Sequence, residues 1–341
     1  MRKEALLSPL LFGTSLVLLL ELAAPASAYV RSYTTQGCHP VFWPQSCVYV
    51  TVDGDGVPEL PLVEVERIVQ QSITAWQTRT SGSSYLRLNY VSATEPRETM
   101  PRDGLQVIKF RTKTWCRPAE DPTQEANCYD PSAAALTTVT YINKPMDPTD
   151  DGRIIDADIE MNAVNNYFYD ATTNPNPQTG SRRPADLWNT LTHELGHLQG
   201  LEHTCRRGAF DSMPLCTRDG NGQSVIQCGT VEQGRDTDAS LQAIYDTTMY
   251  PTADPRETKK RYPRPDDIAG VINIYPKSSD PRLCKSPAAA VPKGGCSLAA
   301  PRSVADSRWL LLSGFGLLGL FALRPGRRRS PSASLAHPRG K

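Results

Sequence analysis

Three histidines, with a glutamate directly after the first, fall within eleven consecutive residues, His193-Glu194-Leu195-Gly196-His197-Leu198-Gln199-Gly200-Leu201-Glu202-His203. That spacing suits a single metal ion. On a helix, residues four apart share a face and are separated by about 6 Å of rise, so His193 and His197 can aim ring nitrogens at one point. Were the helix to continue, His203 would lie roughly 9 Å further along the axis and about 240° around from His197, out of reach. The helix is therefore expected to stop at Gly200, where glycine accepts the left-handed backbone that ends helices and lets His203 return as third ligand. Three neutral imidazoles leave the fourth tetrahedral position of a zinc ion open to water, the arrangement of a catalytic site. Glu194, beside the pair, is placed to accept that water's proton and pass it to a leaving amine. The chain holds five histidines. With three of them here, a merely solvated helix face explains the pattern poorly.

This stretch resembles the long zinc motif of the metzincin metalloproteases. The resemblance implies an α+β, zincin-like fold: a twisted mixed sheet, two long helices, an active-site cleft, a Met-containing turn beneath the metal and a short C-terminal helix. His193, His197 and His203 are then the zinc ligands, Glu194 the general base, and proteins or peptides the substrates. Met249, in Thr247-Thr248-Met249-Tyr250-Pro251, is the expected turn methionine, with Met213 in Asp211-Ser212-Met213-Pro214 as the alternative. The segment 266–275, opening Asp266-Asp267-Ile268, is similar to the last helix of matrixins. Tyr250 directly follows the methionine, as in that group, and is not nominated as a ligand.

The same resemblance places the strand 152–162 at the edge bordering the substrate cleft. Its unpaired side would either receive an extended peptide or stand solvated behind acidic outer residues. Those acids, with Asp147, Asp150 and Asp151, are the candidate ligands for structural calcium. A second, structural zinc is not expected, since only His39 and His337 remain outside the motif. Residues 204–246 replace a short link and read as a Cys-containing insertion beside the cleft. The reading from a different class is a non-catalytic surface adhesin or peptide-binding module on this scaffold, against which the retained Glu194 argues.

Several elements must carry these residues. The run Cys-Val-Tyr-Val-Thr-Val at 47–52 is a β-branched strand. Asp53-Gly54-Asp55-Gly56 reads as a turn, because Pro58 stands where a calcium-binding EF-hand loop needs glycine. Leu62, Val65, Ile68, Val69, Ile73 and Trp76 recur at helical spacing and should pack under a sheet. Residues 85–91, 105–112 and 136–142 read as further strands. The motif helix is expected over 184–198, with Pro184 in its first turn and Leu187, Leu191, Leu195 and Leu198 as its buried stripe.

Residues 1–28 read as an export signal: Arg2 and Lys3, an apolar core at 10–20, and Ala26-Ser27-Ala28 before Tyr29. The catalytic domain then covers 29–276, with an upper part to about 200 and a lower part from about 201. A Pro-rich linker follows at 277–295. The segment 296–330 holds Cys296, an apolar run at 309–323 and the arginines 324 and 327–329. It is similar to sorting signals processed by myxosortase-type enzymes, and a plain anchor is the alternative. A polar tail, 331–341, ends the chain. These features imply an exported protein held at the cell surface or outer membrane, or released from it. A processing enzyme is the expected partner of the tail, and the membrane its neighbour before processing. Export makes disulfides the expected state of the nine cysteines. Cys38 with Cys47, and Cys116 with Cys128, are close enough to staple local loops, while the pairing of Cys205, Cys216, Cys228 and Cys284 stays open. A net charge of +1 gives no reason to expect nucleic acid as partner, and a monomer is expected.

Overall fold

The structure, a computed structural model, describes residues 28–97, 100, 102–119, 123–208 and 213–285. The export signal up to residue 27 and the sorting tail lie outside the described residues. In chain order the strands and helices are β1 (Val30–Arg31), β2 (Cys47–Val52), α1 (Leu62–Thr80), β3 (Arg87–Tyr90), β4 (Gln106–Arg111), β5 (Cys116–Arg117) and β6 (Asn127–Cys128). They continue with β7 (Ala135–Tyr141), β8 (Ile154–Asn162), β9 (Asn166–Tyr169), β10 (Arg183–Asp186), α2 (Leu187–Leu198), β11 (Leu201–Glu202), α3 (Cys228–Gly234), α4 (Ala239–Tyr245) and α5 (Pro265–Ile274). The class is α+β, as expected.

The five-stranded sheet runs in the order β3-β2-β4-β8-β7. β2 pairs in parallel with β3 and β4, β4 pairs in parallel with β8, and β7 closes one edge antiparallel to β8. The apolar stripe of α1 (Val65, Ile68, Val69, Ile73, Trp76) and that of α2 (Leu187, Leu191, Leu195, Leu198) share one core with Val50, Ile108, Ile159 and Met161 of the sheet. Two indoles stitch the helices into that core while satisfying their own N–H groups. Trp76 Nε1 donates to Thr192 O at 2.9 Å, and Trp43 Nε1 donates to Leu198 O at 2.7 Å. The turn reading of 53–56 is matched by the hydrogen bond from Gly56 N to Asp53 O, 3.0 Å.

Three expectations are corrected. The strand bordering the open edge is β7, not 152–162, which forms β8 one place inward. Its acids do not face water either: Asp156, Asp158 and Glu160 are 2%, 1% and 0% exposed. Glu160 accepts from Arg111 Nε at 2.7 Å, Arg117 Nε at 2.6 Å and Tyr129 Oη at 2.9 Å, because the segment carrying β5 and β6 lies across this face. The other acids considered for calcium are engaged by protein donors: Asp147 by Thr149, Asp150 by Lys144 and Arg153, and Asp151 by Thr34 and the Lys144 amide.

The second correction concerns the start of α2. Pro184 sits in β10, paired in parallel with β9, and the helix begins at Leu187. Asp186 is its N-cap, accepting from Asn189 N at 2.8 Å. Proline suits an extended edge position as well as a first helical turn, and the capping aspartate decides between them.

The third concerns the cysteines. Cys116–Cys128 is present as expected, but Cys38 pairs with Cys216, Cys47 with Cys284, and Cys205 with Cys228. Cys47 opens β2 beside the C-terminal segment, where Ser46 N donates to Leu283 O. The bridge of Val30 to Asp219 draws the insertion toward the N-terminal segment and Cys38. Inside the insertion α3 and α4 pack around Cys205, Cys228, Val231 and Tyr250.

Candidate metal centre and its cleft

α2 carries His193 and His197 one turn apart and ends where the glycine was expected to end it. Gly200 has φ +88°, and its N–H donates to His197 O at 2.8 Å. The chain then reverses into β11, which pairs with β1, and brings His203 back. The three rings stand 4.7–5.4 Å apart between centroids, and one ligand nitrogen from each lies within 4.8 Å of the others. Among the described residues this is the one cluster of three or more His, Cys, Asp or Glu placed to hold a metal.

The hydrogen bonds fix which nitrogens face inward. His193 Nδ1 meets Thr248 O at 2.6 Å and His197 Nδ1 meets Leu201 O at 2.9 Å. A carbonyl only accepts, so each Nδ1 carries the proton and each Nε2 presents its lone pair to the centre. The Nε2 atoms of His197 and His203 lie 3.2 Å apart. Burial, first, and neighbouring positive charge hold His193 and His203 well below the usual histidine range; burial also lowers His197. Neutral imidazoles whose lone pairs converge repel one another unless a cation lies between them, and this donor set fits zinc.

Glu194 is 5% exposed. Thr137 of β7 donates to its Oε2 at 2.6 Å and contacts its backbone oxygen at 3.2 Å. Burial pushes the carboxyl up, partly opposed by His197 and by this hydrogen bond. Met249 lies under the helix between the two histidines. A Cβ on Gly196 would stand 2.2 Å from Met249 Sδ, so the glycine makes room for the sulfur. The turn is held from α5: Asp267 accepts from Thr248 N at 2.8 Å, Met249 N at 3.1 Å and Arg264 N at 2.9 Å. The alternative, Met213, packs instead with Val30 and Val225.

A cavity of about 740 Å³ joins these groups, running along β7 past the histidines to a wall formed by residues 251–254. Two of its residues were not legible beforehand. Thr137 gave no signal in an ordinary strand. Lys260, in Lys259-Lys260-Arg261, carried no signal in the sequence either, yet it is 3% exposed. Its Nζ donates to Tyr250 O and, at 2.8 Å, to Thr252 O; its backbone N donates to Asn189 Oδ1 at 2.7 Å. Burial pushes the ammonium pKa down to about 8.

No curated protein matches the chain. Residues 133–260, from just before β7 to Lys260, match the family model Reprolysin_5, described as metallo-peptidase family M12. With the convergent histidines, that match supports a zinc metallopeptidase.

Proposed function

We propose that the protein is an exported zinc endopeptidase of matrixin-like metzincin type, cleaving protein or peptide chains laid along β7, with Glu194 as general base. The observation that carries this reading is the meeting of three neutral imidazoles and a buried carboxylate in one cleft beside an open sheet edge. His193, His197 and His203 would hold zinc through Nε2. Zinc bound there supplies Lewis acidity toward a carbonyl and lowers the pKa of water at its open position. The rest belongs to the chain. Thr137 fixes one Glu194 oxygen, leaving Oε1 to take a proton from the attacking water and give it to the leaving amine. The free side of β7 offers main-chain groups to an extended substrate whatever its side chains. Met249, held by Asp267, keeps the floor under the rings apolar and fixed. Export is supported by the signal-like residues 1–28 and by four disulfides, which persist in oxidising compartments. Retention at the surface would fall to the tail around Cys296.

The test is Glu194→Gln in the exported protein. Cleavage of a denatured-protein substrate should fall by about 10²–10⁴-fold, the range for loss of a general base, with one zinc per chain retained by metal analysis. Chelation of the wild-type protein should abolish cleavage and added zinc restore it. Undiminished cleavage by the variant, or an active wild-type protein without zinc, would overturn the assignment.

A further inference from the structure

Lys260 is a buried charge of the cleft that this mechanism leaves unused. A buried ammonium is costly unless it is paired, because carbonyl dipoles satisfy its hydrogens without cancelling its charge. Lys260 has two such carbonyls, Tyr250 O and Thr252 O, and among the described residues no carboxylate within 4.0 Å. Glu257, the acid that acts most on it, turns its Oε2 to Lys259 at 3.6 Å and to the Asp254 amide at 3.4 Å, while its Oε1 is buried without a hydrogen-bond partner. An ammonium has three donors, so one remains for the cavity that Lys260 lines.

The position is also fixed in advance. Lys260 N is held by Asn189, one turn before His193 on α2. Arg261 is clamped by Asp186 and by Asp170 at 2.9 Å. The charge is near enough to bear on Glu194 and all three histidines. A neutral donor would pin residues 250–252 equally well; a lysine adds a positive charge that Glu257, Asp267 and Glu194 offset only from beyond 4.0 Å.

We infer that Lys260 is a specificity-determining residue, and that the pocket between α2 and residues 251–254 takes a substrate carboxylate next to the scissile bond. The carboxylate belongs either to an acidic side chain or to the free C-terminus of a peptide. This rests on the peptidase reading above, and it departs from an apolar pocket, which a buried charge would disfavour.

The experiment compares kcat/KM for peptide pairs that differ only as Glu against Gln at each residue flanking the cleaved bond, and as free acid against amide at the C-terminus. Zinc-loaded wild type, Lys260→Arg and Lys260→Met are used. Wild type should prefer the carboxylate member of one pair by about 10-fold or more, as expected of a hydrogen bond to a charged group. Which pair responds identifies the source. Lys260→Arg should keep the preference; Lys260→Met should erase it, bringing the ratio within each pair to about one whatever the absolute rates become. Equal cleavage of both members by wild type overturns the inference and leaves the peptidase reading standing. A uniform loss on all peptides in Lys260→Met with no preference in wild type assigns Lys260 to holding the wall alone, also overturning it. Should Lys260→Met fail to fold, the wild-type ratio and its retention in Lys260→Arg decide. No cleavage of any peptide by zinc-loaded wild type sinks both readings.

Discussion

Gly196 shows how one missing side chain lets the metal site close. By helix propensity alone, alanine at this mid-helix position should stabilise the chain by about 1 kcal/mol. The added Cβ would instead stand 2.2 Å from Met249 Sδ and 3.2 Å from Trp76 Cζ2, both on buried side chains. Gly196→Ala is expected to destabilise the protein by about 1–3 kcal/mol, the usual cost of overpacking. Chemical denaturation measures it, and adding Met249→Ala should recover part of the loss. A stabilised single variant would mean that Met249 does not press on α2. The histidine geometry was legible because one helix period and one glycine determine it. Lys260 and Thr137 were not, since each reaches the cleft from an element far along the chain and carries no local pattern.

At the scale of elements, the opening of α5 does two separate jobs. Asp267 collects three backbone N–H groups and so fixes Thr248, whose carbonyl orients His193. Asp267→Ala should cost roughly 1–3 kcal/mol from the stranded donors. Zinc affinity should also fall about 10- to 100-fold, as when an outer-shell partner is lost. Competition with a chelator reads the affinity; unchanged zinc binding would show that the turn holds itself. Asp266 receives Ala28 N at 2.8 Å, but burial pushes its carboxyl up to about 7. An unfolded aspartate titrates near 3.9. The folded form therefore binds the extra proton between these values, and this contribution to stability is full below about pH 4 and lost as pH rises through 7. Asp266→Asn should flatten the fall in Tm between pH 5 and 8 relative to wild type. In a chain beginning at Tyr29, an α-ammonium would replace that amide environment and weaken the same dependence. An identical slope in all three proteins would remove Asp266 as its source. The acids of β8 were misread for a related reason. Alternation along a strand shows that two faces differ, not which one is wet, and here arginines and a tyrosine from β4 and the β5–β6 segment cover the charged face.

Over the whole molecule the cysteines carry most of what sequence could not order. The export reading announced disulfides, and the one pair joined by a short antiparallel ladder, Cys116–Cys128, followed from proximity. The long bridges depend on where the sheet and the insertion bring distant segments together. Cys38–Cys216 spans 178 residues and Cys47–Cys284 spans 237. These two loops overlap, so every peptide bond between residues 38 and 284 lies inside at least one closed ring. A single cut anywhere in that range cannot release a fragment. Limited proteolysis, including any cleavage by a second copy of the protein, should give one band on a non-reducing gel and two after reduction. Separation of fragments without reductant after one cut would contradict the bridging. A peptidase built this way can be nicked in its exposed insertion and still travel as one covalent body, so its damage would go unseen until the disulfides are opened.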